Sequence, residues 1–207
     1  MPHRSQPDQI ELRKRILDMA LKEFAEKGYH RATLDEIASR VGASKGSVYW
    51  YFENKRALFL AVVLEELSRL TRYLEAVVAD GGQSAVARIE AFIVANLNYY
   101  ADHPEFGNLI KVFNTPGGPE LDMDMEIIVS DDYRKLRGII DTLLQEGIRQ
   151  GELEPDRAAI AAPMLVAMLD GLMFQWVLEP QAVPLRELAG KVATTFLEGI
   201  VKRESSK

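Results

Sequence analysis

Between residues 44 and 55 the chain places a lysine, a glycine and two adjacent aromatic residues at helical spacing. These residues are Lys45, Gly46, Tyr49 and Trp50. Positions three and four apart are neighbours on a helix, so all four share one face. A solvated helix face normally carries Glu, Lys and Gln, and exposed rings indicate a surface that a partner covers. The DNA major groove suits this face, because it admits one α-helix, lysine donates to guanine or phosphate, and glycine lets the backbone approach closely.

The residues around this face predict a helix-turn-helix. Thr33 and Glu36 form a capping box, in which the hydroxyl accepts from the Glu36 amide and the carboxylate accepts from the Thr33 amide. Gly42 permits a turn with positive φ, and Ser44 can cap the second short helix. The inward positions of the two helices are the apolar residues Ile37, Ala38, Val41, Val48 and Phe52.

Further donors flank the same face. Tyr49 and Tyr51 can each donate a hydroxyl to a phosphate oxygen. Lys55 opens the next predicted helix, where free amides and the helix dipole also favour phosphate. The alternative is that Tyr49, Trp50 and Tyr51 are core aromatics of an ordinary helical hairpin whose lysines face solvent. The direction in which these rings point decides between the two interpretations.

Helical periodicity dominates the rest of the chain. Apolar residues recur at three- to four-residue spacing, as at Ile16, Ala20 and Phe24, and no convincing alternating strand pattern is present in the sequence. The sequence therefore predicts an all-α fold of about nine helices. We expect a helix-turn-helix DNA-binding domain over residues 1–54 and a ligand-binding and dimerisation domain over 55–207, with 55–79 as the connecting helix. Gly28 ends the first apolar stripe, and three prolines stand where helices can begin: Pro104, Pro155 and Pro184.

Charge divides the chain in two. Of its 207 residues, 47% are apolar and 27% are charged, which is typical of a globular protein. The first 60 residues hold 11 basic and 8 acidic side chains, a balance of +3, whereas the remaining 14 and 23 give −9. The part proposed to meet DNA is therefore the basic one, and the overall acidity argues against non-specific coating of DNA.

Several classes of protein are disfavoured. The chain has no cysteine, which excludes disulfides and thiolate metal sites and fits a reducing cytoplasm. We expect no export signal, and no membrane span, because the longest uncharged run, 158–169, is shorter than the roughly 20 residues a span needs. The three histidines are widely separated, and neither a nucleophile elbow nor a phosphate-binding loop occurs. We expect no catalytic residue, no metal and no cofactor. An enzyme and a helical protein-interaction module remain the alternative classes.

The carboxyl-terminal third predicts a homodimer. Residues 158–178 carry a single charge, Asp170, and a helix that is apolar nearly all round must be covered on more than one side. A four-helix interface with two helices from each chain would cover it, and a monomer with both helices in its core is the alternative. The expected interface residues are Leu165, Leu169, Leu172, Val192, Phe196 and Ile200.

The acidic part of the chain predicts a small-molecule site. Aromatic and thioether side chains adapt to varied apolar ligands, although most of those present belong to the core. Asp170 must be paired, solvated at an interface or facing a cavity, and a carboxylate in a cavity would favour a cationic ligand. A structural hydrogen bond to a helix terminus is the alternative for Asp170. The candidate ligand contacts are Tyr100, Phe106, Phe113, Met168, Asp170 and Trp176.

The stretch 16–58 closely resembles the amino-terminal DNA-binding domain of the tetracycline-repressor (TetR) family of transcriptional regulators. The resemblance is carried by AEKGY at 25–29, TLDEIA at 33–38, VGASKGSVY at 41–49 and YFENK at 51–55. By position it implies that Lys45 and Gly46 belong to the base-reading turn and that Tyr49 and Tyr51 bind phosphate. It also implies a phosphate contact for Lys55.

The resemblance leaves other positions less defined. Thr33 and Ser47 match positions that often touch the DNA backbone, and Ser44 begins the same turn. Trp50 stands at a variable position, so its role is open between base contact and groove wall. Asp35 stands where some members read a base, but phosphate repels a carboxylate, so that role is not carried over.

The family's usual mechanism implies a repressor that a small-molecule effector releases from a palindromic DNA operator.

Overall fold

The computed structural model describes residues 6–79, 81–114 and 123–201, and these residues form ten α-helices and one isolated β-bridge, Leu153 to Val201. The all-α prediction is confirmed. The helix beyond the predicted nine is α8, a single turn that Pro155 opens. The helices are α1 (Gln6–Arg31), α2 (Leu34–Arg40), α3 (Lys45–Tyr51), α4 (Lys55–Val77), α5 (Ala85–Asp102), α6 (Pro104–Asn114), α7 (Met123–Gln150), α8 (Pro155–Ala158), α9 (Ala161–Leu178) and α10 (Leu185–Ile200).

Helix boundaries follow the breakers in the sequence. Gly28 has φ 76° and ψ 168°, so the regular part of α1 ends there, as the sequence predicts. This backbone region suits glycine because it has no Cβ. Pro104 and Pro155 begin α6 and α8, and Pro184 immediately precedes α10. Proline fits the first helical turn because its missing N–H has no intrahelical partner there.

The described residues fall into two compact units, one within 1–67 and 105–128 and the other within 68–104 and 129–207. Helices α4 and α7 each contribute to both units. This division differs from the boundary predicted after residue 54, because the first part of α4, and α6 from Glu105 onward, belong to the first unit. Within that unit α1 packs against α2, and α2 packs against α3. The shared core includes the fully buried side chains of Ile16, Phe24, Ile37 and Val48.

The second unit is built around α5, which contacts α9 and α10. Ile89, Phe92 and Leu97 of α5 are fully buried, and Ala193 of α10 is buried within the same unit. Arg88 joins α5 to α7, because its Nη1 lies 2.6 Å from Glu146 Oε2. The same guanidinium donates through Nε to the Val78 carbonyl oxygen at 2.8 Å.

Helix α9 presents two apolar faces, one buried and one exposed. Leu165 and Leu169 point into the core of the second unit, whereas Met164 and Leu178 are 56% and 55% exposed. By length and composition alone, α9 would suffice to cross a membrane, with a mean hydropathy of 1.5 and 33% of its length buried. The core helix of a soluble protein satisfies the same criteria. The exposed apolar face agrees with the expectation that α9 must be covered on more than one side.

The predicted interface residues differ in their burial within the chain. Leu165, Leu169 and Ile200 are buried within the chain, so they offer little surface to a second subunit. Leu172, Val192 and Phe196 are half-buried. The sequence could not identify the outer face of α9, because a helix that is apolar all round has no polar side to mark it.

Candidate functional site

The first helix of the predicted motif begins at a side-chain cap. Thr33 has extended backbone, and its hydroxyl accepts from the Glu36 amide at 3.2 Å. The Glu36 carboxylate accepts from the Thr33 hydroxyl at 3.1 Å, where the sequence predicted the Thr33 amide as donor. The hydrogen bonds to Thr33 and Lys27 hold the pKa of Glu36 below its ordinary value. The start of α2 is therefore defined by local chemistry, as predicted.

The turn and the start of α3 also follow the sequence. Gly42 has φ 67°, the left-handed conformation that the predicted turn requires. Ser44 caps α3, since its hydroxyl oxygen accepts from the Ser47 amide at 3.1 Å. The Ser44 and Ser47 hydroxyl oxygens lie 2.7 Å apart. One of these hydroxyls donates to the other, so one O–H proton of the pair is left at the end of α3 where the candidate DNA contacts begin.

Helix α3 turns its aromatic residues outward. Val48 and Phe52 are buried in the first unit, whereas Tyr49 is 45% exposed and Trp50 is 69% exposed. Gly46 is exposed, and a Cβ at this position would meet no atom within 4 Å. The predicted orientation is confirmed, and the interpretation of Tyr49 and Trp50 as core aromatics is wrong.

Lys45 is exposed but paired. Its Nζ lies 2.8 Å from Asp35 Oδ2, which joins the first turn of α3 to the first turn of α2. This hydrogen bond raises the pKa of Lys45 above its ordinary value. The ammonium also lies 5.7 Å from the centroid of the Tyr49 ring. These two contacts hold the Lys45 ammonium in a defined position beside α3.

Tyr51 does not share the outward face. Its hydroxyl donates to the Gln9 carbonyl oxygen of α1 at 2.9 Å, and its ring is half-buried. The Trp50 ring packs edge-on against it, with centroids 4.7 Å apart. A phosphate oxygen only accepts hydrogen bonds, and the single Tyr51 proton is already used. Tyr51 thus packs beneath Trp50. Its phosphate role stays a prediction, which requires the hydroxyl proton to leave the Gln9 carbonyl oxygen.

Lys55 also makes contacts that the sequence analysis missed. Its Nζ donates to the carbonyl oxygens of His30 and Ala32, at 3.0 and 3.2 Å. The same ammonium lies 4.7 Å from the centroid of the Tyr29 ring. These hydrogen bonds of Lys55 therefore link the start of α4 to the chain segment after Gly28. An ammonium has three N–H donors, so one is left for a phosphate.

A buried ion-pair cluster positions the motif, and the sequence analysis did not identify it. Glu23 of α1 is fully buried, and it pairs with Lys27, whose Nζ lies 2.9 Å away, and with Arg40 at the end of α2. Lys27 Nζ also lies 3.4 Å from Glu36. Glu23 and Lys27 stand four residues apart, a spacing typical of helical ion pairs. This spacing could have predicted the pair of Glu23 with Lys27. It could not have predicted the burial of Glu23, which depends on residues far along the chain.

The candidate ligand contacts lie in different places. Tyr100 of α5 is buried beside Asp170 of α9, and Phe106 is fully buried in the first unit. Met168 and Trp176 are half-buried on α9. The side chain of Phe113 lies outside the described residues. The structure thus brings Tyr100 and Asp170 together and adds Tyr133, whose hydroxyl donates to the Asp170 carboxylate.

Asp170 also lines a cavity of about 370 Å³ between α7 and α9. The walls of this cavity include Tyr133, Arg137, Pro163 and Val166. No cluster of three or more His, Cys, Asp or Glu side chains that could hold a metal occurs in the described part of the chain.

A capped helix-turn-helix with an exposed basic and aromatic face, followed by a helical unit with a cavity, defines a DNA-binding regulator of transcription that responds to a ligand. The family model for bacterial regulatory proteins of the tetR family matches residues 16–62. The model for the carboxyl-terminal domain of BetI-type transcriptional repressors matches residues 121–202. The chain belongs to the TetR family, as the sequence motifs predict.

Known relatives span nearly the whole chain. The fatty acid metabolism regulator protein of Bacillus subtilis is 25% identical over 189 residues, which cover 89% of this chain and 93% of the relative. The structure of the regulator FadR from Bacillus subtilis, solved with stearoyl-CoA, is 22% identical and covers 90% and 98%, with a TM-score of 0.78. SmeT of Stenotrophomonas maltophilia, solved with triclosan, is 25% identical and covers 93% and 92%, with a TM-score of 0.76.

Proposed function

We propose that the protein is a cytoplasmic repressor that binds a palindromic operator as a homodimer and leaves it when a small-molecule effector binds. The observation that carries the DNA role is the outward face of α3, where Lys45, Tyr49 and Trp50 are exposed above a buried Val48. Exposed rings beside a lysine fit a groove that offers both base edges and phosphates.

We assign the following roles within this face, which its exposure supports. Lys45 reads base edges, Gly46 allows close approach of the backbone, and Tyr49 donates its hydroxyl to phosphate. Trp50, the more exposed ring, lies against the groove wall. The free N–H of Lys55 contacts phosphate while its other donors hold the preceding segment. We assign the hydroxyls of Thr33, Ser44, Ser47 and Tyr51 to the DNA backbone. For this contact the hydroxyl protons of Thr33 and Tyr51 leave Glu36 and the Gln9 carbonyl oxygen.

Dimerisation accounts for the exposed apolar face of α9. Ile160, Met164, Phe174 and Leu178 recur along one side of the helix, and each is at least 37% exposed. Monomeric soluble proteins rarely expose a continuous apolar patch of this kind. We propose that this stripe, with the half-buried Val192 and Phe196 of α10, forms an isologous interface. No homodimer through the predicted Leu165 and Leu169 is proposed, because both are buried.

The two reading helices of a symmetric dimer contact half-sites one DNA turn apart, about 34 Å, or a multiple of that distance. Effector binding in the second unit changes the separation of the two α3 helices through α4. The effector must prefer the released geometry, since a ligand with equal affinity for both states shifts nothing. A coupling of roughly 1–3 kcal/mol would weaken operator binding some 5- to 150-fold.

The test is selection of binding sites from random duplex DNA, together with gel shifts on DNA flanking the protein's own gene. We expect a two-fold symmetric site and an affinity that falls steeply with salt, by about 0.9 in log units for each phosphate neutralised. Lys45→Ala and Tyr49→Phe should weaken binding, whereas Lys191→Ala, at an exposed lysine of α10, should not.

Two results would refute this function. A selected site without two-fold symmetry would exclude the palindromic operator and the dimer on DNA. Failure to bind any duplex at low salt would exclude the DNA role altogether, and the exposed face of α3 would then be a protein-binding surface.

A further inference from the structure

One side of helix α9 faces α7 and borders both the core and the exposed apolar stripe, since Val166 is buried whereas Pro163 and Ala167 are exposed. Pro163, Val166, Ala167 and Asp170 are three or four residues apart, so they share one side of the helix. That side lines the cavity of about 370 Å³ together with residues of α7. The volume lies at the lower end of the range for ligand pockets, about 300–1,000 Å³. All the lining residues belong to the second unit.

Three helices bring polar groups together around Asp170. The Tyr133 hydroxyl of α7 donates to its carboxylate, and the buried Tyr100 of α5 interacts with it electrostatically. Burial raises the pKa of Asp170 above its ordinary value, and burial likewise raises the pKa of both tyrosines. No ion pair to Asp170 is present in the described part of the chain. The carboxylate offers up to four acceptor positions, and the Tyr133 hydroxyl fills one of them.

A second acceptor in this region has no donor. Asn96 is buried on α5, and its Oδ1 has no hydrogen-bond partner within the described residues. Asn96 stands four residues before Tyr100, so the two side chains lie on the same face of α5, one turn apart. A buried amide oxygen without a donor costs about 1–3 kcal/mol. Asn96 therefore lacks a hydrogen-bond donor, and the half-buried Asp170 has acceptor positions that the Tyr133 hydroxyl does not fill.

We propose that this cavity binds an organic cation with N–H donors, a primary or secondary ammonium with an apolar body, and that Asp170 is its counter-ion. The inference rests on the proposed function, because it names the chemical class of the effector. The ammonium group donates to Asp170 and to Asn96 Oδ1 and contacts the Tyr100 and Tyr133 rings, whose faces attract cations. The apolar body lies along Pro163, Val166 and Ala167.

Arg137 limits the positive charge that a ligand of this cavity can carry. It lines the cavity on the exposed side of α7, one turn after Tyr133, and it makes no ion pair with Asp170. A second positive charge on the ligand would face this guanidinium and be repelled. The ligand is therefore a monocation, or carries an acidic group at the end away from its ammonium.

The test uses four probes with the same six-carbon chain, titrated into the full-length protein by isothermal calorimetry. They are hexylammonium, hexyltrimethylammonium, hexanoate and hexanol. We expect hexylammonium to bind at least tenfold more tightly than the other three. The quaternary probe tests the need for N–H donors, and the other two test the need for positive charge.

Three variants locate the site. Asp170→Asn keeps the shape and removes the charge, and it should weaken hexylammonium binding at least tenfold. Asn96→Leu removes the unpaired acceptor and should weaken it several-fold, with thermal unfolding used to show that the variant is folded. Glu198→Gln is the matched control, because Glu198 is an exposed carboxylate beside a separate groove of α10 and should have no effect.

The proposal fails if Asp170→Asn binds hexylammonium like the unmodified protein, if hexanoate or hexanol binds equally well, or if no probe binds at millimolar concentration. Operator binding, measured on the same samples, separates this failure from failure of the proposed function. A protein that binds its operator and ignores ammonium probes is a regulator with another effector class. A protein that binds hexylammonium through Asp170 but no duplex refutes the regulator instead.

Discussion

Lys45 Nζ lies 2.8 Å from Asp35 Oδ2, so the lysine on the outward face of α3 is already paired with a carboxylate of α2. Both side chains are more than half exposed, and exposed pairs add little to stability. The pair therefore matters less for stability than for the proposed binding of DNA. It holds Lys45 in place over α3, and it puts a negative charge on the surface that must approach phosphates.

Asp35→Asn tests this consequence. The amide keeps the shape of the carboxylate but removes its repulsion of phosphate, so we expect affinity for random duplex DNA to rise roughly two- to tenfold. The salt dependence should also steepen, by up to about 0.9 in the log–log slope, because Lys45 is freed for one more phosphate. Fluorescence anisotropy over a series of salt concentrations measures both quantities.

The control for Asp35→Asn is Glu187→Gln, which removes one exposed negative charge from α10. It should change neither affinity nor slope beyond a small effect of net charge. Equal effects of the two variants would show that overall charge, and not the position of Asp35, governs binding.

Trp50 and Phe52 provide a contrast between binding and stability. Trp50 is 69% exposed and Phe52 is buried, although they are two residues apart. We expect Trp50→Ala to weaken operator binding at least tenfold and to leave the free energy of unfolding within about 0.5 kcal/mol. Phe52→Ala should lose about 3–5 kcal/mol of stability. Urea titration and gel shifts on both variants check this, and a large loss of stability in Trp50→Ala would contradict the exposed position.

The sequence was a good guide where structure depends on neighbouring residues. The Thr33 and Ser44 caps and the Gly42 turn form within a few residues, and the inward position of Val48 follows from them. The contact of Tyr51 with the Gln9 carbonyl oxygen was not predicted, because Gln9 lies 42 residues away in the chain. No local pattern identifies such a partner.

Helix α9 shows a second limit of prediction from the sequence. Its composition predicted cover on two sides, but its pattern did not reveal which leucines face the core. The polar cluster around Asp170 was predicted only in part, because Tyr133 joins it through the packing of α7 against α9. Asp170 stood out in the sequence as a lone charge in an apolar run, and that signal did locate the polar cluster of the second unit.

Glu23 and Arg40 should differ in the cost of their removal. Glu23→Gln leaves Lys27 and Arg40 exposed enough to be hydrated, so we expect a loss of about 1–2 kcal/mol in the free energy of unfolding. Arg40→Met leaves a fully buried carboxylate with Lys27 as its remaining partner, which should cost about 2–4 kcal/mol. Urea unfolding of each variant measures the two values.

The double variant completes this comparison. Once Glu23 is glutamine, Arg40→Met should cost much less than it does alone, because no buried charge is left uncompensated. Additive losses would mean that the two side chains do not act as a pair.

The exposed stripe of α9 predicts the oligomeric state. Met164→Glu combined with Leu178→Glu places charges on the proposed interface and should convert the dimer to a monomer in sedimentation experiments. Operator affinity should fall with it, because each half-site is then bound separately. Ile10→Glu is the matched control, since Ile10 is a similarly exposed apolar residue of α1. A dimer that persists in the double variant would place the interface elsewhere.

Asp170 should make the protein less stable at neutral pH than its amide variant. Its pKa in the folded protein is raised by burial above the ordinary value of 3.8, so ionisation is less favourable in the folded state than in the unfolded chain. Below pH 3.8 the Asp170 carboxyl group is protonated in both the folded and the unfolded state, so its titration does not change the free energy of unfolding. As pH rises through the raised pKa, the unfolded chain has released its proton first and stability is lost.

We therefore expect Asp170→Asn to have a melting temperature a few degrees higher at pH 7, with a difference that shrinks as pH falls towards 4. Calorimetric melting of both proteins across this range measures the difference. A variant less stable than the unmodified protein at pH 7 would show that Asp170 is satisfied within the fold, and that no ligand cation is needed to balance it.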